Sequence, residues 1–393
     1  MKLLKVSFDH LRMFENGLFE IDLFASDKVP AGDESAFSLA GTLYTNNIIG
    51  LAGINASGKT TALVLLELAG KIIQGASIFG GGIPSTIATF FDSRFTFKCL
   101  AYEGNSCYLV ESQIACEQNT TTGSVSFNFV EEQIFSIPAK LLKRSDLQSW
   151  ESISAAAHSL CVRTQALESM AVLASSEVSI AGAVIAKDTK SQCGMQILRE
   201  DNFTLRYGFD GLDTVLHVFD PTIEHLEVAD EGRAFSAKFK GRDAMILSEQ
   251  GLNEVLSSGT YRGVALVSRA ITTLKFGGYL LVDEIENHLN RQLVNVVLEI
   301  FASKNTNPKG ATLVFTTHYP QLLDCVHRKD NIYFLASTYG CGSKVVKYCD
   351  HVKRIENKKS EVFVSNYIKG TAPRYVDVKS LKEMIAQKAV GND

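Results

Sequence analysis

The eight cysteines of this chain include no C-x-x-C pair and are scattered from Cys99 to Cys349. Such spacing provides neither a zinc ribbon nor a disulfide framework, so reduced, buried thiols are expected. No run approaches the eighteen or so apolar residues that cross a bilayer. The opening residues, Met1 to His10, lack the apolar core of a signal peptide. A soluble, cytoplasmic protein with no membrane partner is expected. Basic residues are not in excess, since 39 Lys and Arg stand against 43 Asp and Glu for a net charge of −4. That balance does not advertise a nucleic-acid binder, although a local basic patch stays open. Internal repeats and low-complexity tracts are also missing. What the chain does have is apolar bulk: 46% of its 393 residues are hydrophobic, enough for two or three domain-sized pieces with a sizeable core.

One stretch stands out. Residues Gly53 to Thr60 read G-I-N-A-S-G-K-T, the G-x-x-x-x-G-K-T phosphate-binding pattern. An apolar run, Asn47–Ala52, precedes it and a helix-forming run, Thr61–Leu68, follows it, which is the strand–loop–helix setting the motif needs. Glycines let successive backbone N–H groups curl inward toward phosphate oxygens, and the helix N-terminus adds partial positive charge. Lys59 is placed for the β- and γ-phosphates of ATP and Thr60 for Mg²⁺. The expected nucleotide contacts are therefore Gly53, Asn55, Ala56, Ser57, Gly58, Lys59, Thr60 and Thr61.

Taken in order, residues 3–8 and 18–24 alternate as two opening strands, and Asp27–Ser38 reads as a loop. Strand 47–52 and helix 59–74 follow, then the glycine cluster 80–82. Segments Arg94–Tyr102, Cys107–Ile114 and Ser124–Val130, separated by Gly104-Asn105 and the polar run 119–123, predict an antiparallel sheet. The alanine-rich, proline-free stretch from Leu147 to Ala186 predicts two or three inserted helices. Strands are expected at Phe203–Tyr207, Leu216–Phe219 and Phe235–Phe239. From Ala244 to Leu335 the pattern is α/β, with buried strands at Tyr279–Val282 and Thr312–Phe315, a turn plus helix at 256–274 and a helix at 291–302. Strands near 332–335 and 344–348 and a short helix near 380–388 close the chain. The fold class is α/β. The division expected is an N-terminal lobe (1–146), an inserted helical module (147–196), a C-terminal lobe (197–378) and a tail (379–393).

Three further segments carry chemistry. The strand Tyr279–Val282 ends in Asp283-Glu284, at the sheet edge where open α/β sheets bind ligands. Asp283 is placed to hold Mg²⁺ and Glu284 to polarise an attacking water. Ser257-Ser258-Gly259 opens a long helix as an anion site, or as an ordinary N-cap. His318 follows a buried strand, where it can reach a γ-phosphate. Three neighbouring parallel strands would bring Lys59, Glu284 and His318 to one edge. The remaining histidines read as structural or surface groups.

With these motifs in hand the chain resembles ABC-type ATPases of the RecF/SMC/overcoming-lysogeny-defect (OLD) class. Within it, the chain looks like bacterial abortive-infection and phage-defence ATPases, including the ATPase of PARIS-type systems. By that resemblance Gly53–Thr60 is the Walker A loop, Leu256–Thr260 the signature, Asp283-Glu284 the Walker B end, Glu286–Asn290 the D-loop and His318 the switch histidine. The resemblance covers about residues 1–65 and 245–378. The signature departs from the usual L-S-G-G-Q, and Asn290 stands in place of the D-loop aspartate. Only Gln133 offers itself as a Q-loop residue. The class implies ATP hydrolysis with Lys59, Glu284 and His318 as the catalytic set. It also implies a homodimer or larger homo-oligomer, with ATP held between Walker A of one subunit and Ser257–Gly259 of the next. A separate nuclease or toxin effector in phage defence is implied, since little chain follows the ATPase. A RecF-like role in DNA repair or chromosome handling, and a slow-turnover nucleotide-dependent scaffold, stay open beside this reading.

Overall fold

The computed structural model describes residues 1–78, 83–118, 125–164, 175–185, 194–199, 209–230, 234–338, 342–353 and 357–390. The glycine cluster at 80–82, the polar run at 119–123 and the expected strand at 203–207 lie outside these residues. The chain opens with the antiparallel pair β1 (Lys2–Phe8) and β2 (Phe19–Asp22) and the hairpin β3 (Ala36–Ala40) and β4 (Leu43–Asn46). Next come β5 (Ile48–Gly53) and helix α1 (Lys59–Gln74). Long antiparallel strands follow: β6 (Arg94–Glu103), β7 (Ser106–Gln118) and β8 (Val125–Pro138). β8 runs past Val130, where the sequence suggested an end, by way of an irregularity opposite Gln113 and Ile114.

The stretch expected as inserted helices differs in its described part. Helix α2 (Trp150–Ala155) is short, and His158–Val162 is a strand, β9, that pairs with β8. Backbone pairing to an open sheet edge outweighs the local helix preference there. Residues 181–185 form one short helix, α3, packed on α1. After β10 (Met195–Leu198), residues 212–219 form helix α4 where a strand was expected at Leu216–Phe219. Leu212 and Leu216, one turn apart, are its buried residues, a spacing that a short apolar run does not reveal by itself. A small sheet, β11 (Ile223–Ala229), β12 (Ala234–Phe239) and β13 (Met245–Leu247), precedes α5 (Glu249–Val255) and α6 (Ser258–Phe276). The chain continues through β14 (Tyr279–Val282), α7 (Arg291–Ala302), β15 (Thr312–Thr317), β16 (Ile332–Thr338) and β17 (Gly342–Lys347). Three helices end it: α8 (Tyr348–His351), α9 (Lys359–Val364) and α10 (Tyr375–Val390).

The site is positioned by a central sheet of order β10-β14-β15-β5-β16-β17, parallel except for β17. Its strands are apolar on both faces because both faces are covered. Ile49, Leu51, Tyr279, Leu281 and Val314 face α1, which lies between this sheet and the antiparallel sheet β2-β1-β6-β7-β8-β9. Leu280, Val282, Leu313 and Phe315 face the other way, onto α6, α7 and α9. Helix α1 is thus buried nearly all round, and Gly75 (φ 63°) closes it by donating its N–H to Ile72. No helix of the described residues is long and apolar enough to cross a membrane. The described cysteines are free, with Cys99, Cys107 and Cys349 buried. Burial pushes the Cys107 thiol up to about 12 and Cys349 to about 11.

Candidate nucleotide site

The loop between β5 and α1 is built for close approach. Ala56 (φ 58°) and Gly58 (φ 87°) both take the left-handed conformation, which turns their amides away from an ordinary helix start. A Cβ on Gly53 would strike Ser57 Oγ and lie 2.8 Å from the Leu335 carbonyl. Asn55 and Ala56 are exposed at the loop's tip, whereas Thr61 is buried in the packed face of α1. Lys59 folds back over the loop, its Nζ donating to the carbonyls of Gly53 and Ile54 at 3.0 Å each. Burial pushes its ammonium below the usual lysine range, and Asp283, Glu284 and Glu286 pull it back up. The Ser57 hydroxyl is buried with no partner among the described residues.

The parallel strands β5, β15 and β14 are neighbours, so their carboxyl ends share one edge. Thr60 Oγ1 donates to Asp283 Oδ2 at 2.7 Å, joining the start of α1 to the end of β14. Thr316 supports the other side: its hydroxyl donates to Asp283 Oδ1 at 2.6 Å and accepts the Glu284 N–H at 2.7 Å. Glu284 itself sits at φ 48°, a conformation costly for a residue with a side chain. His318 Nε2 lies 3.0 Å from Glu284 Oε1, and its Nδ1 is 3.4 Å from Lys59 Nζ. Because an ammonium only donates, Nδ1 accepts and Nε2 carries the proton toward Glu284. The His318 backbone N–H is held by Glu286 Oε1 at 2.6 Å. Lys59, Thr60, Asp283, Glu284 and His318 therefore form one continuous network.

Ser257, Ser258 and Gly259 are placed differently. Ser257 caps α6, accepting the Thr260 N–H at 3.0 Å. Ser258 Oγ lies 3.2 Å from His288 Nδ1, and a Cβ on Gly259 would come within 2.6 Å of the His288 carbonyl. Among the described residues no hydrogen bond links these three to the loop Gly53–Thr60. Buried Arg262, on the same helix, donates to the carbonyls of Asp283 (2.7 Å) and Glu284 (2.9 Å). Asn290 serves as the N-cap of α7, accepting the Leu293 N–H at 3.0 Å. Gln133 is not at this edge. It lies in β8 of the antiparallel sheet, where its amide donates to Ser159 Oγ at 3.3 Å.

Sequence reasoning gave no role to Thr316 or Arg262, and it read Glu286 only as part of the D-loop, not as the partner of the His318 N–H. A hydroxyl two residues before His318 and a third acid after Asp283-Glu284 were visible signals. Nothing in the sequence ties Arg262 to backbone carbonyls twenty residues away. His288, which read as structural or surface, contacts Ser258.

A family model described as "AAA domain, putative AbiEii toxin, Type IV TA system" matches residues 212–324. The match takes in Ser257–Gly259, Asp283, Glu284 and His318 and leaves the loop Gly53–Thr60 outside. No curated protein matches the chain. Residues 212–324 are thus similar to an AAA domain of that description, over less than a third of the chain.

Proposed function

We propose that the protein binds ATP with Mg²⁺ at the edge formed by β5, β14 and β15 and hydrolyses it, as an ABC-type ATPase of the OLD-like class. The observation that carries this is the single hydrogen-bonded network joining Lys59, Thr60, Asp283, Glu284 and His318. The residues present fit the nucleotide. The loop's left-handed residues, the glycine at 53 that a Cβ would clash out, and the orphaned Ser57 hydroxyl make a cradle for an anion. The oxygens of Thr60 and Asp283 are the hard ligand pair a magnesium ion takes, and Mg²⁺ bound there neutralises phosphate charge.

In this reading Lys59 leaves the Gly53 and Ile54 carbonyls and holds the β- and γ-phosphates. Glu284, oriented by Thr316 and His318, takes the proton of the attacking water. Ser257–Gly259 is not committed to the chain's own loop and serves a second copy in a head-to-tail dimer. ATP is held between the loop Gly53–Thr60 of one copy and Ser257–Gly259 of the other, and the inserted segment 147–196 reports closure of that dimer to a separate nuclease or toxin effector. The match to an abortive-infection family model supports such a partner. The test is ATP binding and phosphate release by the purified protein and its Lys59→Ala variant. Wild type should bind and turn over ATP, and Lys59→Ala should lose about a hundredfold or more in turnover. Equal rates would overturn the assignment.

A further inference from the structure

Arg199 directly follows β10, the edge strand beside β14. Leu198 pairs with Val282, and its carbonyl accepts the Asp283 N–H at 3.0 Å. Arg199 is therefore level with Asp283, at the same carboxyl edge as the network described above. Met195 and Ile197, at alternate positions of the same strand, pack with α1, and Arg199 continues that face. Its side chain is 13% exposed and runs to Glu67 on α1, with Nη2 3.6 Å from Glu67 Oε2. That separation is longer than a hydrogen bond. Both Nε and Nη2 of Arg199 are buried with no hydrogen-bond partner among the described residues.

A shielded guanidinium whose donors meet no described partner is costly unless something completes it. Glu67 lies seven residues past Thr60 on α1, about 10 Å along the helix axis and on the same face. The Arg199 side chain thus spans from the level of Asp283 down toward Glu67. A guanidinium fork suits phosphate oxygens better than a single loosely held carboxylate oxygen.

Resting on the nucleotide-binding reading, we propose that Arg199, which lies near Glu67 in this structure, turns toward the Thr60 end to contact the terminal phosphate of a nucleoside triphosphate, and that it makes the site prefer ATP to ADP. Titration calorimetry of the full chain with Mg-ATP and with Mg-ADP tests this, using wild type, Arg199→Ala, Arg199→Lys and Glu67→Gln. Arg199→Ala should lose about tenfold or more in ATP affinity while ADP affinity stays within about twofold. Arg199→Lys, which keeps a charge for Glu67 and so protects folding, should also lose ATP preference because it lacks the fork. Glu67→Gln should keep or raise that preference. Loss of both nucleotides to the same extent in Arg199→Ala, or an Arg199→Ala-like loss in Glu67→Gln, would make the pair purely structural and overturn the proposal. A wild type that binds neither nucleotide would bring down the nucleotide-binding reading itself, which separates the two failures.

Discussion

Thr316 shows how one hydroxyl can set two carboxylates. It is fully buried and spends its proton on Asp283 and its lone pair on the Glu284 amide. Glu284 is held at φ 48° there, so the amide contact maintains a conformation the chain would otherwise leave. Thr316→Val keeps the shape but leaves a buried N–H without a partner, at a cost of about 1–3 kcal/mol. Under the proposed function, its turnover should fall about tenfold or more while ATP affinity holds. Single-turnover phosphate release beside equilibrium binding measures this, and unchanged turnover would show that Thr316 does not position Glu284. Asp283-Glu284 at a strand end was legible in the sequence because acids after an apolar run announce themselves. The Thr316 bridge was not: neighbouring strands were expected, but the register that pairs Val282 with Phe315 and so sets Thr316 level with Asp283 is not written in either segment.

Among the elements, the segment from β9 to α3 is the clearest case of structure departing from local pattern. Buried Glu132 in β8 holds it together. One oxygen accepts from Ser112 and Ser179; the other takes Arg163 at 3.0 Å and the Ile180 N–H at 2.9 Å. Arg163 in turn donates to the carbonyls of Ser175 and Val178 and lies over the Phe129 ring. Residues 175–185 are thereby tied to the antiparallel sheet at one end. At the other, Gly182 meets the last turn of α1 so closely that a Cβ would strike the Gln74 carbonyl. Glu132→Ala strands a buried guanidinium and should cost about 3–5 kcal/mol. Urea unfolding should show that loss, with faster amide exchange in 175–185 than in β5; a variant as stable as wild type would contradict it. Alanine-rich composition suggested helices here because local propensity carries no information about a charged pair thirty residues apart.

For the whole molecule, the decisive arrangement is that α1 lies between two sheets while Ser257–Gly259, at the start of α6, makes no hydrogen bond to the loop Gly53–Thr60 among the described residues. A second copy is the proposed occupant of that face. Glu284→Gln keeps the size of the side chain but cannot accept a proton, so ATP should bind without being consumed. Light scattering of Glu284→Gln should then give a dimer mass with Mg-ATP and a smaller mass with Mg-ADP. A mass independent of nucleotide would refute ATP-driven dimerisation.

The loop Gly53–Thr60, the acids after Tyr279–Val282, the histidine after Thr312–Thr317 and the α/β class could all be read along the chain. Each is a local signal, a run of apolar residues ending in a short polar motif, and local signals survive in one dimension. Tertiary structure alone decided that β15 sits between β5 and β14, so that His318 can touch both Lys59 and Glu284. It alone placed Gln133 in the outer sheet, made His158–Val162 a strand, and set Arg199 beside Asp283. Those outcomes depend on strand order and on pairing between distant segments, where burial and hydrogen bonding across the sheets outweigh the preference of any short stretch.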